Sequence, residues 1–133
     1  MEKNFSETYM KNIKVLIVED NAIVRKSVKR MLVNSTLSTE IYEAENSAEA
    51  ILMLNDEKPF VTILDLNLNG ENGINLIHEI KNNHNSKVIV LTNESSPAIR
   101  KKCIKVGADY FLDKSLEFDK VFPSISNLVE SAN

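Results

Sequence analysis

Five short apolar runs alternate along the chain with segments whose apolar residues recur every three or four positions. The runs cover residues 13–18, 39–44, 60–64, 87–91 and 108–113. They read as continuous apolar segments rather than as an alternation of apolar and polar residues. This is typical of strands that are buried on both faces of a parallel sheet. The segments between the runs have the periodicity of amphipathic helices.

One helix is predicted after each strand. The five helices are expected to begin near Ile23, after an N-cap at Asn46 or Ser47, near Ile74, at Pro97 and near Phe122. Strands and helices that alternate in this way, joined by right-handed crossovers, predict a doubly wound α/β fold in three layers. We divide the chain into a flexible polar tail over residues 1–12 and one domain over residues 13–133.

Composition and charge exclude several classes of protein. A chain of 133 residues that is 43% hydrophobic and 26% charged has the usage of one globular domain. Its net charge of −3 gives no general attraction to nucleic acid or membranes. A single cysteine, Cys103, excludes an internal disulfide and fits a reducing compartment. The sequence therefore predicts a cytoplasmic protein that binds neither nucleic acid nor a membrane on its own.

Polar residues follow four of the five predicted strands. Glu19 and Asp20 come after the first strand and Asp65 after the third. Thr92 ends the fourth strand, and Lys114 comes after the fifth. In a doubly wound sheet, ligands bind at the carboxyl ends of the strands. We therefore expect these five side chains to converge on one edge of the sheet.

The charge balance of this group favours a divalent cation. Two carboxylates about 4 Å apart repel each other by roughly 4 kcal/mol at an effective dielectric constant of about 20. Lys114 offsets one of the three negative charges and leaves two, which Mg²⁺ would balance. Asp65 would then be both a ligand and a nucleophile that forms an aspartyl-phosphate. Lys114 and Thr92 would contact the phosphoryl oxygens. Taken singly, each residue also has an ordinary interpretation, such as Asp20 capping the first helix.

The chain resembles the receiver domain of two-component response regulators from about residue 13 to about residue 129. The segments that carry the resemblance are residues 15–21, residues 63–68 with Gly73 beyond them, residues 90–92 and residues 107–114. The resemblance implies a flavodoxin-like sheet with strand order 2-1-3-4-5. It also implies a phosphorylation-dependent switch of a two-component or phosphorelay system, which promotes only its own phosphorylation and dephosphorylation and is not an enzyme in the usual sense.

The resemblance further implies how the phosphoryl group and the metal are bound. Asp65 would be the phosphoacceptor and would receive the group from a histidine kinase or a histidine phosphotransfer protein. Asp20 and Asp65 would bind Mg²⁺ directly, together with the backbone carbonyl of Asn67. Glu19 would act through a metal-bound water.

The resemblance also assigns roles to residues that bind the phosphoryl group, that form the switch and that tune hydrolysis. Thr92 and Lys114 would bind the oxygens of the phosphoryl group. Thr92 and Phe111 would be the two residues that change conformation on phosphorylation, the switch pair. Asn67 and Glu94 occupy the two positions that tune hydrolysis. Their combination resembles that of the chemotaxis response regulators, which lose the phosphoryl group quickly, and it predicts a short-lived phosphorylated form.

We expect a stand-alone receiver whose downstream protein partner binds one surface of the domain. That surface consists of the fourth helix, the fifth strand and the fifth helix. Its candidate residues are Ile99, Arg100, Lys105, Tyr110 and those near Lys120.

Three residues depart from the pattern of the family. Asn69 replaces the proline that usually follows the phosphoacceptor by four residues, and Asn93 is bulkier than the residue usual beside the switch hydroxyl. Ser115 replaces the proline after the lysine, where the family has a cis bond. A cis peptide before a residue other than proline costs about 3 kcal/mol. The sequence therefore does not decide the geometry of the Lys114–Ser115 peptide or the conformation of the loop after Lys114.

Two other interpretations of residues 65–70 stay open. They match the first half of a calcium-binding EF-hand loop, but the twelfth position is Leu76 instead of glutamate. They also resemble the nucleophile segment of haloacid-dehalogenase phosphatases, although Asn67 replaces the acid/base aspartate. The alternative function is therefore a Mg²⁺-dependent aspartyl-phosphate phosphatase or phosphotransferase.

Overall fold

A computed structural model describes residues 12–132, so the tail predicted over residues 1–12 lies outside the described residues except for Asn12. The centre of the molecule is a sheet of five strands. These are β1 (Ile13–Val18), β2 (Thr39–Ala44), β3 (Val61–Leu64), β4 (Lys87–Thr92) and β5 (Tyr110–Asp113). The strand order is β2-β1-β3-β4-β5, and all neighbouring strands are parallel. The predicted strand order of 2-1-3-4-5 is confirmed.

Five α-helices cover the two faces of the sheet. They are α1 (Ala22–Val33), α2 (Ser47–Glu57), α3 (Gly73–Asn83), α4 (Pro97–Lys105) and α5 (Val121–Ser131), with a short 3₁₀ helix at Phe118–Lys120 before α5. Buried residues of α2, α3 and α4 form one core cluster with one face of the sheet. Buried residues of α1 and α5 form a second cluster on the opposite face. The three-layer doubly wound fold is therefore confirmed.

The central strands β1, β3 and β4 are largely apolar because successive side chains point to opposite faces and both faces are covered. The edge strand β2 is less buried and carries Glu40 and Glu43. Leu64 packs in the cluster of α2, α3 and α4, whereas its neighbour Ile63 packs in the cluster of α1 and α5. Cys103 of α4 is fully buried in the first cluster. Burial raises the pKa of its thiol, with a smaller opposing effect of Lys102, so Cys103 packs as an apolar residue.

Side-chain caps fix where the helices begin. Asn21 caps α1, since its Oδ1 accepts hydrogen bonds from the backbone N–H groups of Ile23 and Val24 at 2.9 Å and 3.1 Å. The reading of Asp20 as the cap of this helix is therefore wrong. Asn46 caps α2 by accepting from Glu49 N at 2.9 Å. These caps satisfy N–H groups that have no partner within the helix.

The structure differs from the predicted elements mainly in the segment after β3. Residues 67–72, for which no strand is predicted, form a hairpin in which Asn67–Leu68 pairs with Glu71–Asn72. Its turn residues Asn69 and Gly70 have φ values of 53° and 87°, which is the Asn-Gly conformation that two-residue hairpins favour. Among residues 12–132, no helix has both the length and the apolar content that crossing a membrane requires.

Candidate functional site

The ends of β1 and β3 bring three carboxylates together. Val18 and Leu64, the last residues of these strands, are paired in register, so Glu19 and Asp65 leave the sheet side by side. Carboxylate oxygens of Glu19, Asp20 and Asp65 all lie within 4.8 Å of one another. Glu19 is 4% exposed and Asp65 is 8% exposed, while Asp20 is half-buried. We call these three residues the acidic cluster.

Lys114 reaches the acidic cluster from the end of β5. Its Nζ donates to Glu19 Oε1 at 2.7 Å and to Asp65 Oδ2 at 2.9 Å. Burial, the largest single effect, lowers the pKa of Lys114, but the hydrogen bonds to the two carboxylates and the attraction of their charges together raise the pKa above its ordinary value. Burial raises the pKa of Glu19 despite opposing hydrogen bonds from Lys114 and Asn21. The ammonium thus stays protonated and partly compensates a buried excess of negative charge.

Each carboxylate of the acidic cluster also accepts a hydrogen bond from the backbone of a nearby residue. The contacts are Asn21 N to Glu19 Oε2 at 3.1 Å, Asn67 N to Asp65 Oδ1 at 3.3 Å and Asn69 N to Asp20 Oδ2 at 3.0 Å. The last contact uses the backbone N–H of Asn69, whose φ is 53°, and proline offers neither this donor nor this φ. The departure at Asn69 therefore adds a donor to the acidic cluster.

Thr92 and Phe111, the predicted switch pair, are both buried. Thr92 is fully buried at the end of β4, and its Oγ1 accepts from Glu94 N at 3.2 Å. Phe111 is 3% exposed and lies in the core cluster, with the Arg100 guanidinium 5.0 Å from the centre of its ring. Tyr110, the preceding residue, is half-buried and packs against the opposite core cluster. The side chain of Phe111 therefore points inward in this structure.

The loop after β5 is built without a cis peptide, since residues 12–132 contain none. Ser115 Oγ donates to Asn93 Oδ1 at 3.1 Å, and the Asp113 carboxylate accepts from the backbone N–H groups of Ser115 and Leu116. Sequence reasoning missed Asp113. The available signal was an aspartate two residues before Ser115, because aspartate side chains commonly bind the backbone two residues ahead.

The donor set of this site fits a hard divalent cation. Its candidate ligands are carboxylate oxygens, which Mg²⁺ and Ca²⁺ prefer. Three carboxylates and one ammonium leave two net negative charges, provided that all four groups are ionised. The acidic cluster could therefore bind a metal ion.

The geometry agrees with comparisons to known proteins. The family model for the response regulator receiver domain matches residues 15–126. The chain belongs to this family. The receiver is 30% identical to the transcriptional regulatory protein YdfI of Bacillus subtilis (strain 168) over 109 residues, which are 82% of this chain and 51% of YdfI. It spans about half the length of the curated relatives that it matches, at 51% and 52% for the first two.

Solved structures show the same fold. The two-component response regulator of the LuxR family from Aurantimonas sp. SI85-9A1 superposes with a TM-score of 0.80 at 21% identity, covering 91% of the receiver and 87% of that chain. The Mn²⁺-bound form of response regulator Rcp1 superposes with a TM-score of 0.74 at 25% identity, covering 87% of the receiver and 91% of that chain. The resemblance inferred from the sequence is confirmed.

Proposed function

We propose that this receiver is a phosphorylation-controlled switch in which Asp65 accepts the phosphoryl group. Receiver domains of this family are phosphoacceptor switches of two-component systems. The observation that carries the proposal is the surroundings of Asp65. Its carboxylate lies in the acidic cluster and accepts a hydrogen bond from Lys114 at 2.9 Å.

The chemistry is a transfer from a phosphohistidine of a histidine kinase or a histidine phosphotransfer protein. A carboxylate oxygen of Asp65 uses its electron pair to form the new P–O bond. The P–N bond breaks, and its electrons stay with the imidazole nitrogen, which takes a proton from solvent. Lys114 offsets the negative charge that gathers on the phosphoryl oxygens, and the Thr92 hydroxyl donates a hydrogen bond to one of them.

We propose Mg²⁺ as the cofactor of this transfer. Asp20, Asp65 and the backbone carbonyl of Asn67 would hold it directly, and Glu19 would hold it through a water. When bound, the ion neutralises charge on the attacking carboxylate and on the phosphoryl oxygens. The oxygen ligands of the acidic cluster support this assignment, as does the Mn²⁺-bound form described for Rcp1.

Phosphorylation would act on partners through Thr92. Its hydroxyl would exchange the Glu94 N–H for the phosphoryl group, and the change would favour one packing of Phe111 and of the β4–α4 loop. The phosphoryl group can shift the balance between two conformations of the domain only if it makes better contacts in one of them than in the other. The downstream protein would bind the surface formed by α4, β5 and α5, which includes the exposed residue Arg100 above the Phe111 ring.

Labelling with acetyl phosphate tests the assignment of Asp65. Incubation with Mg²⁺ is expected to add one phosphoryl group of about 80 Da to the intact chain, and Asp65→Asn is expected to abolish the addition, since an amide is not a nucleophile for this step. Asp56→Asn, which alters an exposed aspartate of α2, is the matched control. Labelling of Asp65→Asn to the extent of the wild type would overturn the assignment of Asp65, and steady turnover of phosphate esters would favour the phosphatase alternative.

The lifetime of the phosphorylated form depends on Asn67 and Glu94. Both residues are exposed and border one cleft of about 290 Å³, which Leu66, the residue after Asp65, also lines. We propose that this pair permits fast hydrolysis. After removal of acetyl phosphate, intact mass in Mg²⁺ buffer is expected to show loss of the label within minutes. A label that lasts for hours would contradict this proposal.

A further inference from the structure

The loop that carries Lys114 is held by the carboxylate of the preceding residue. Asp113 Oδ1 accepts from Ser115 N at 2.8 Å and from Leu116 N at 2.9 Å. Both donors follow Lys114 in the chain, so the Asp113 side chain closes a hydrogen-bonded turn that includes the Lys114 backbone. A carboxylate that accepts several N–H groups is a strong local constraint.

The other oxygen of Asp113 joins this loop to the loop after β4. Asp113 Oδ2 accepts a hydrogen bond from Ser95 Oγ. The pKa of Asp113 is lowered, first by this bond from Ser95 and then by the N–H of Leu116. Asp113 is therefore ionised at neutral pH and accepts at both oxygens.

The backbone on both sides of Lys114 is fixed by further hydrogen bonds. Asp113 N donates to Glu117 Oε1 at 2.9 Å, and Glu117 N donates back to Asp113 O at 2.8 Å. Lys114 N donates to Thr92 O at 2.9 Å. The Lys114 side chain has a long flexible stem, and its Nζ reaches both Glu19 and Asp65 only if the backbone directs that stem toward them.

We propose that Asp113 is a positioning residue for Lys114. By fixing the direction in which the chain leaves Lys114, its carboxylate keeps the ammonium in contact with Glu19 and Asp65. Through Ser95 it also ties the position of Lys114 to the loop that follows Thr92. The effect on phosphoryl transfer rests on the function proposed above, whereas the effect on Lys114 itself does not.

The test reads the Lys114 ammonium directly. In ¹H–¹⁵N spectra of the unphosphorylated protein, a lysine ammonium held by two carboxylates exchanges slowly with water and gives a signal, which Lys114→Arg assigns by its loss. Asp113→Ala is expected to shift or broaden that signal and to slow labelling by acetyl phosphate about tenfold, because small displacements of a catalytic group are costly. Asp113→Asn keeps an acceptor for Ser115 N and Leu116 N, and it is expected to restore most of both readouts.

Three variants keep the experiment decisive. Asp113→Glu retains the charge but displaces the carboxylate by one methylene. It should therefore shift or broaden the Lys114 signal as Asp113→Ala does, and it serves as the test if Asp113→Ala does not fold. Ser95→Ala removes only the link between the loops and should change the Lys114 signal less than Asp113→Ala. Asp109→Asn alters a carboxylate just before β5 that binds Lys81 and Val88 N, and it should leave the signal in place.

An unchanged Lys114 signal in folded Asp113→Ala and Asp113→Glu would overturn the proposal, and so would equal disturbance by Asp109→Asn. A wild type that takes no label while Asp113→Ala still loses the signal would refute the phosphoacceptor function alone and would support the positioning role.

Discussion

Replacing Lys114 with alanine is expected to slow phosphoryl transfer to Asp65 by about 100-fold, which is the effect of removing one well-placed charge-stabilising group from an active site. Lys114 contacts Glu19 and Asp65 at 2.7 Å and 2.9 Å, so its charge lies where the phosphoryl oxygens would arrive. The measurement is the initial rate of mass increase with acetyl phosphate and Mg²⁺. A rate within a factor of two of the wild type would show that Lys114 does not act on the phosphoryl group.

The same substitution should destabilise the metal-free protein. The side chains of Glu19 and Asp65 are 5% and 10% exposed, and without Lys114 their charges lose the ammonium that bonds both. Breaking a buried ion pair in this way costs about 3 kcal/mol, measured as the free energy of unfolding in urea with chelator present. Lys120→Ala is the control, because Lys120 is 61% exposed in its pair with Glu117 and such surface pairs contribute at most about 1 kcal/mol. Equal losses in the two variants would contradict the buried pairing.

The fold could be predicted because its two signals are local. Strands that are buried on both faces appear as continuous apolar runs, and helices appear through their spacing, so neither requires knowledge of long-range contacts. The predicted boundaries differ from the structure at the N-terminal ends of two strands: β3 begins at Val61 instead of Phe60, and β5 at Tyr110 instead of Ala108. The last helix, expected to begin near Phe122, begins one residue earlier at Val121.

The acidic cluster could be predicted for a related reason. Parallel strands end at one edge of the sheet, so residues such as Asp20, Asp65 and Lys114 meet there once the strand order is known. The Asp113–Ser95 hydrogen bond could not be predicted in this way, because it depends on the conformation of two loops. The contact of the Arg100 guanidinium with the Phe111 ring could not be predicted either, because it depends on how α4 is placed against β5.

Backbone hydrogen bonds explain two of the departures from the family pattern. From the sequence, Asn69 and Ser115 are simply missing prolines. In the structure, Asn69 contributes a backbone N–H to Asp20, and Ser115 contributes a backbone N–H to Asp113. A residue that replaces proline can supply a donor that proline lacks. At both positions the gained donor bonds a carboxylate in or next to the site.

Gly73→Ala is expected to destabilise the protein by about 2–3 kcal/mol, the upper range for forcing an extra carbon into a packed site. Gly73 is the first residue of α3, and a Cβ there would lie 2.7 Å from Leu66 Cα, 2.8 Å from Asp65 O and 3.0 Å from Leu66 O. These are backbone atoms, so no side-chain rotation relieves the clash. The close approach explains why the helix after the Asp65–Leu66 segment begins with glycine.

The clash would also displace the backbone of Asp65 itself, so labelling by acetyl phosphate should fall together with the free energy of unfolding in urea. Gly70→Ala separates this effect from ordinary glycine strain. A Cβ at Gly70 meets no atom within 4 Å, but its φ of +87° is unfavourable for alanine, a strain of about 1 kcal/mol. Gly70→Ala should therefore lose less free energy of unfolding than Gly73→Ala, and acetyl phosphate should label it faster. If the two variants are equally stable and are labelled at the same rate, α3 does not lie against the backbone of Asp65 and Leu66 as described.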